Sequence, residues 1–285
     1  DALLRAGVAE VHVLQADPDP VAAGGMQRLR AGGITVVDVA AARPDLGAAA
    51  AHDLRGFLAR VRVGRPHVTL KLAQTLEGRT TPEPGAYLTG LAARRHVHAL
   101  RAETDAVLVG GATIRIDDPA LDVRHVHADR QPRAVVASAS GDLPEDARVL
   151  REGAIVMVGA AVPAPTRAAW AARGVRVLDL PAVAGGLHLM DGMRSLLGER
   201  VLTVLAEPGP RLAAALLAAG VVDAVELHVA GGAHGGPIVP AVPALAPLVA
   251  EEVRAHGTIT EDGDLLLRAD LTVPAPAAGP LAEVA

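Results

Sequence analysis

Short apolar runs recur along this chain, with amphipathic stretches between them. HVTLKLAQ from His67, DAVLVG from Asp105, PRAVVAS, GAIVMVG, GVRVLDL and RVLTVLAE are too short for buried helices and rich in β-branched residues, which predicts buried strands. Between them, LTGLAARRHVHALRAE predicts a helix with Thr89 as its N-cap. Further helices are predicted from Pro165 to Arg173, from Leu187 to Leu197 and from Pro210 to Ala219, followed by late strands in DAVELHVA and DLLLRADLTV. Strands alternating with helices predict an α/β fold with a mostly parallel central sheet and antiparallel edge strands near the C-terminus. The last stretch, APAAGPLAEVA, reads as a poorly ordered tail.

The front of the chain repeats the alternation on a smaller scale. EVHVLQ (Glu10 to Gln15) reads as a strand, DPDP as a turn, and GGMQRLRAGG as a helix with Met26 and Leu29 at helical spacing. GITVVDVA predicts another strand and AAAAHDLRGFLARVR one helix running to Arg62. Gly64, Arg65 and Pro66 then punctuate the pattern, because the residue before a proline is pushed out of helical geometry. The expected division is therefore an αβ fragment without an opening half over 1–63 and a larger domain over 64–285.

Composition narrows the classes. With 285 residues, 51% hydrophobic and 1% aromatic, the chain builds its core from Ala, Val and Leu, so that Phe57, Tyr87 and Trp170 stand alone. A net charge of -5 without long charged blocks argues against a polyanion-binding surface, and the scarcity of aromatics argues against stacking on nucleic-acid bases. No cysteine means no disulfide, no thiolate nucleophile and no Cys-ligated zinc, and a cytoplasmic setting is expected. The longest uncharged apolar stretch, Pro237 to Ala250, is broken by prolines and shorter than the roughly 20 residues of a spanning helix, so no membrane association is expected.

Among all the basic residues there is a single lysine, Lys71, inside the strand-like run VTLKLAQ. A lysine there is either a functional ammonium or a side chain that packs its stem and keeps its head in water. Ligands of open α/β sheets collect at the carboxyl ends of strands. The stretches predicted to lie there are Lys71 to Thr80; VGGATIRIDDPALDVR (Val109 to Arg124) with Thr113, Asp117 and Asp118; AEPGPRLAAALL with Glu207 and a helix start at Gly209 and Pro210; and GGAHGG (Gly231 to Gly236). Singly, each has a plain structural alternative: Asp117-Asp118-Pro119 makes a turn, EPGP makes a loop with a proline at N1, and VGGAT does not fit GxGxxG. RHVHA occurs at Arg95 and again at Arg124. On a helix His96 and His98 point to different faces, and without a nearby third ligand no metal site is expected. No serine sits at a strand-to-helix elbow, so a Ser-His-Asp arrangement is not visible.

Taken together, GRPHVTLKLAQTLEGRT, LRAETDAVLVGGATIRIDDPALDVR and AEPGPRLAAALLAAGVVDAVELHVA resemble the reductase domain of the bifunctional riboflavin-biosynthesis deaminase/reductase family, a domain whose fold resembles dihydrofolate reductase. DPDPVAAGGMQRLRAGGITV and GFLARVRVGRP resemble the closing half of that family's cytidine-deaminase-like zinc domain. The resemblance implies NADPH-dependent reduction of 5-amino-6-(5-phosphoribosylamino)uracil, opening the ribose to a ribityl chain. It implies that Lys71, Arg101, Leu121, Arg124 and Glu207 face the substrate, and that Ala73, Tyr87, Thr113, Asp117, Gly209, Pro210, Arg211 and Leu212 face the cofactor, with Lys71, Asp117 and Glu207 as the catalytic residues. Arg forks suit a phosphorylated substrate, and a helix start suits the phosphates of a dinucleotide. A homodimer is implied by family habit.

The chain departs from the family pattern at Glu77, where Asp is usual; at Gly85, in place of serine; at Pro208, in place of a small residue; and at Arg211, in place of Thr. Deamination in that family needs an H-x-E…P-C-x-x-C zinc pattern, which this cysteine-free chain lacks. Either those motifs lie upstream of Asp1 or the front part is a structural remnant. The alternative readings are a reductase for a related pyrimidine or pterin, or a non-catalytic relative.

Overall fold

The computed structural model describes residues 1–80, 86–231 and 254–271. Two compact units divide at Gly64 and Arg65. The first contains α1 (Ala2–Arg5), β1 (Glu10–Val13), α2 (Gly25–Ala31), β2 (Thr35–Asp38), α3 (Val39–Ala42), α4 (Pro44–Asp53) and α5 (Arg55–Val63). β1 and β2 pair in parallel. The single helix expected up to Arg62 is two, because Leu54 leaves helical geometry with ψ at 6° and ends α4.

The second unit runs β3 (His67–Thr75), α6 (Leu91–Ala102), β4 (Ala106–Gly110), α7 (Gly111–Asp117), β5 (Arg133–Ser138), β6 (Ile155–Val158), α8 (Ala164–Ala172) and β7 (Arg176–Asp179). It continues through β8 (Ala182–Val183), β9 (Gly186–Leu187), α9 (Leu189–Gly198), β10 (Thr203–Ala206), α10 (Pro210–Ala218), β11 (Ala224–Ala230), β12 (Arg254–Ile259) and β13 (Leu265–Asp270). A nine-stranded sheet in the order β12-β13-β11-β3-β10-β4-β5-β6-β7 organises it. β11 through β7 are mutually parallel, and β13 and β12 add antiparallel strands at one edge. The mostly parallel α/β sheet with antiparallel strands near the C-terminus is thus borne out. The small β8–β9 hairpin was not anticipated.

Alternation along the strands sorts the core into two clusters. Val68, Leu70 and Leu72 of β3 join Leu108, Ile155 and Met157 against Met193 and Leu196 of α9 and Leu216 of α10. Val107, Val109, Val136 and Val156 point the other way, toward Ile114 of α7 and Trp170 of α8. Burial on both faces explains why these strands read as nearly continuous apolar runs. On β3 the residues between the core positions are Thr69, Lys71 and Ala73, so the lysine stands on the face opposite the Leu70 cluster.

The starts of β3 and β11 are tied together by a buried ion pair. Arg65, 1% exposed, donates two hydrogen bonds to the Asp223 carboxylate at 2.6 and 2.9 Å, and Asp223 also accepts the Val68 amide at 2.8 Å. α6 has a different start from the one expected: Gly90, not Thr89, is the N-cap, and it has no side chain to offer. Two carboxylates from the turn between β12 and β13 take over the capping. Asp264 accepts the Gly90 amide at 2.6 Å and Asp262 the Ala92 amide at 2.7 Å.

Among the described residues no helix is long and apolar enough to cross a membrane. The Pro237–Ala250 stretch, the terminal tail and all but Gly231 of the GGAHGG loop lie outside the described residues.

Candidate active site

A cleft of about 1480 Å³ opens at the carboxyl ends of β3, β10, β4 and β5, the place where parallel sheets bind ligands. Its volume exceeds the roughly 300–1,000 Å³ of an ordinary small-molecule pocket, so it has room for a dinucleotide beside a second ligand. Lys71, Ala73, Arg101, Thr113, Asp117, Leu121, Glu207, Gly209, Pro210, Arg211 and Leu212 all line it. Arg124 and Tyr87 are not among the lining residues. Arg124 is exposed, 3.3 Å from Asp122, and Tyr87 is exposed with the Arg94 guanidinium stacked 3.9 Å over its ring.

Charge is concentrated around Glu207. The Arg101 guanidinium grips both carboxylate oxygens at 2.6 and 2.8 Å and spends a further donor on the Asp122 carbonyl at 2.9 Å. Burial raises the Glu207 pKa, but the Arg101 fork and the nearby Lys71 ammonium more than offset it and hold the carboxyl below its ordinary range. For Lys71 the balance tips the other way, toward burial. Burial is the largest influence and lowers its pKa, against the attraction of Glu207 and Glu226. The Arg fork expected from the sequence to hold a phosphate is thus engaged with a carboxylate of the site itself. Behind it, His98 accepts the Arg124 amide at 3.1 Å and packs edge-on against His125 at 4.5 Å. Burial, with Arg101 second, pushes His98 down to about 4, so it is neutral.

Across the cleft, α10 begins directly after β10. Its N-cap, Gly209, carries no side chain to cap the helix, Pro210 occupies the first turn, and the first-turn residues Arg211 and Leu212 line the cleft. A Cβ on Gly209 would meet nothing nearer than Thr113 Oγ1 at 3.9 Å. The helix start, which no side chain among the described residues caps, fits the phosphates of a nicotinamide dinucleotide.

The facing segment carries backbone strain. Asp118 and Leu121 hold left-handed φ values of 36° and 54°, and Leu121 is buried all the same. Burial raises the pKa of Asp117. Glu77 lies in the exposed turn between Thr75 and Arg79 and is not among the cleft-lining residues, and Gly85 lies outside the described residues.

Sequence reasoning missed the far wall. Ser138 at the end of β5, Ser140 just after it, and His188 and Met190 before and within α9 also line the cleft. The available signal was that PRAVVAS ends at the same sheet edge as DAVLVG. Gly111 is held tightly there: a Cβ on it would stand 2.8 Å from Ser138 Oγ and 3.0 Å from Ser138 Cβ. Gly111→Ala is therefore expected to destabilise the fold by about 1–3 kcal/mol through overpacking, read as a lowered urea midpoint. An unchanged midpoint would mean that Ser138 yields freely.

Comparison with known proteins follows the same segments. The family model described as RibD C-terminal domain matches residues 66–260. The riboflavin biosynthesis protein RibD of Escherichia coli K12 is 36% identical over 244 residues, covering 81% of this chain and 65% of that protein. RibD of Mycobacterium tuberculosis H37Rv is 35% identical over 243 residues, covering 84% of this chain and 62% of that protein. This chain therefore spans somewhat less than two thirds of the length of these relatives. Acinetobacter baumannii RibD superposes with a TM-score of 0.77 at 32% identity, covering 95% of this chain and 75% of that one. A Thermotoga maritima deaminase/reductase, at 24% identity and a TM-score of 0.74, shares the fold.

Proposed function

This chain belongs to the RibD C-terminal domain family, and on that premise we propose that it reduces 5-amino-6-(5-phosphoribosylamino)uracil to the ribityl product in riboflavin biosynthesis, using NADPH. The Thermotoga maritima neighbour is named for that reductase activity. The observation that carries the reading is the joining, in one cleft, of the Lys71–Glu207–Arg101 group with the open start of α10.

When bound, NADPH supplies the hydride that the sugar C1′ accepts. In this reading Lys71 holds its proton at Nζ beside the sugar and delivers it to the ring oxygen as the ribose opens. Glu207, kept ionised by Arg101, orients the sugar hydroxyls and keeps the lysine charged. Leu121 packs on the pyrimidine side, and Arg124, exposed and outside the lining, reaches in from the rim to meet the phosphate. Ala73, Thr113, Asp117 and the turn from Gly209 through Leu212 hold the cofactor, with the first amides of α10 on its phosphates; Tyr87, outside the lining, is left out of that set. The unit ending at Gly64 is read as the closing half of a deaminase-like domain, whose zinc chemistry would need residues this chain does not have. A homodimer working in the cytoplasm completes the proposal.

The test is oxidation of NADPH, followed by nicotinamide absorbance, in the presence of the ribosylamino-pyrimidine phosphate. Turnover that depends on both compounds is expected. NADPH binding without turnover would move the chain to a related pyrimidine or pterin, and no NADPH binding by folded protein would sink the reductase reading altogether.

A further inference from the structure

On the Lys71 face of the sheet, beside α6, lies a side-chain cluster that the reduction does not use. Glu226 and His228 are two residues apart on β11 and so project to one face, and His96 reaches them from α6. His96 Nε2 is 2.8 Å from Glu226 Oε1, and His228 Nε2 is 3.9 Å from the same oxygen. One ligand atom from each of the three residues lies within 4.8 Å of the others.

Left to itself, the cluster is poorly satisfied. His228 is completely buried, and neither of its ring nitrogens has a hydrogen-bond partner among the described residues; the same holds for Glu226 Oε2. Buried polar groups without partners are rare because they lose hydration and gain nothing in return. The charged groups facing the cluster are Lys71, which is the register partner of Glu226 on β3, and Arg268, whose Nη1 stands 3.9 Å from Glu226 Oε2. Arg268 approaches one carboxylate oxygen, which leaves Oε1 to the two imidazoles. Burial, with Lys71 and His96 behind it, pushes His228 down to about 2 and keeps it neutral, the form that ligates metals.

We propose that His96, Glu226 and His228 form a three-ligand site for a zinc-class divalent cation, with a fourth position filled by water from the half-exposed side of His96. Zinc bonds of about 2.0–2.2 Å to nitrogen and oxygen set tetrahedral ligands about 3.3 Å apart. The observed 2.8 and 3.9 Å straddle that spacing and the third pair lies within 4.8 Å, so closure needs side-chain shifts of about an ångström and no movement of the backbone. Two imidazoles and a carboxylate are a donor set that borderline cations take, and three protein ligands with one open position leave the metal able to bind a water. The partner that the histidine spacing alone could not supply comes from 130 residues further along the chain.

The test uses the full chain, free of any histidine tag and stripped with a chelator. Titration with Zn²⁺ against a chromophoric chelator is expected to give one zinc per chain, and Co²⁺ in its place is expected to give the absorption bands of tetrahedral cobalt. His96→Ala removes a ligand whose side chain is 37% exposed, so folding, checked by circular dichroism, is not at stake. It is expected to weaken zinc by on the order of 100-fold or more, since changes one shell further out already cost about 10–100-fold, and to abolish the cobalt bands. Glu226→Gln and His228→Gln are expected to do the same. Two results overturn the proposal: no stoichiometric zinc on the parent protein, or zinc retained at parent affinity in folded His96→Ala. The latter would assign the metal to another pair, such as His188 with Asp191 or His12 with Glu10.

Discussion

Replacing Lys71 with methionine is expected to lower kcat/KM by about 100-fold or more while leaving NADPH affinity nearly unchanged, and arginine is expected to rescue little of the loss. The magnitude is that of deleting one preorganised charge aimed at a reacting group. The position explains why arginine fails. Lys71 shares its part of the cleft with a carboxylate already held in a two-point grip by Arg101, so a second planar fork cannot repeat that grip on Glu207, whereas a compact ammonium needs only a single approach to it. Because burial lowers the pKa of Lys71, its charge is lost below the ordinary lysine value of about 10.4. The alkaline limb of kcat/KM is accordingly expected below that value and absent in Lys71→Arg. Steady-state kinetics across pH on both variants checks the point. Parent-like turnover in Lys71→Arg would return the residue to the role of a packed strand lysine with a solvated head.

The largest loss of stability is expected from Asp223→Ala, at about 3–5 kcal/mol. The cause is what the substitution leaves behind. Arg65 is 1% exposed and directs two donors at Asp223, and the Val68 amide depends on the same carboxylate. Removing it strands a buried guanidinium, which is worse than never having built the pair. Replacing both members with apolar residues of similar volume is expected to recover most of the loss, since a buried ion pair contributes little against well-packed hydrophobic groups. Urea unfolding of the single and double variants decides it. A cost under about 1 kcal/mol for Asp223→Ala would mean that water reaches Arg65 when its partner is gone.

What the sequence could and could not reveal follows from the range of each interaction. HVTLKLAQ, DAVLVG, PRAVVAS and GAIVMVG are legible as strands because burial on both faces imposes an apolar run on the chain itself. Their order in the sheet is not, since β3 lies between two strands that come much later in the chain. The misplaced cap of α6 has the same origin. Thr89 is a good local candidate, but the amides are taken by Asp262 and Asp264, 170 and 174 residues away from the groups they cap. In the cleft, the stretches containing Lys71, Asp117 and Glu207 could be recognised one at a time. That Arg101 would bind Glu207 rather than stand free for a phosphate depends on β10 lying beside β4. The pairing of His96 with Glu226 was hidden for the same reason.

The sheet order also bears on how the chain survives its own synthesis. β3 leaves the ribosome before its neighbours β10 and β11, which follow more than a hundred residues later, a wait on the order of ten seconds at typical translation rates. Throughout that interval a β-prone segment with two free edges is exposed to other nascent chains, the circumstance in which strands aggregate. A charge in the middle of such a segment acts as a gatekeeper against that pairing. Lys71, which lines the cleft once the sheet has closed, stands at that point of the waiting strand, so one ammonium guards the strand before the sheet exists and faces the cleft afterwards.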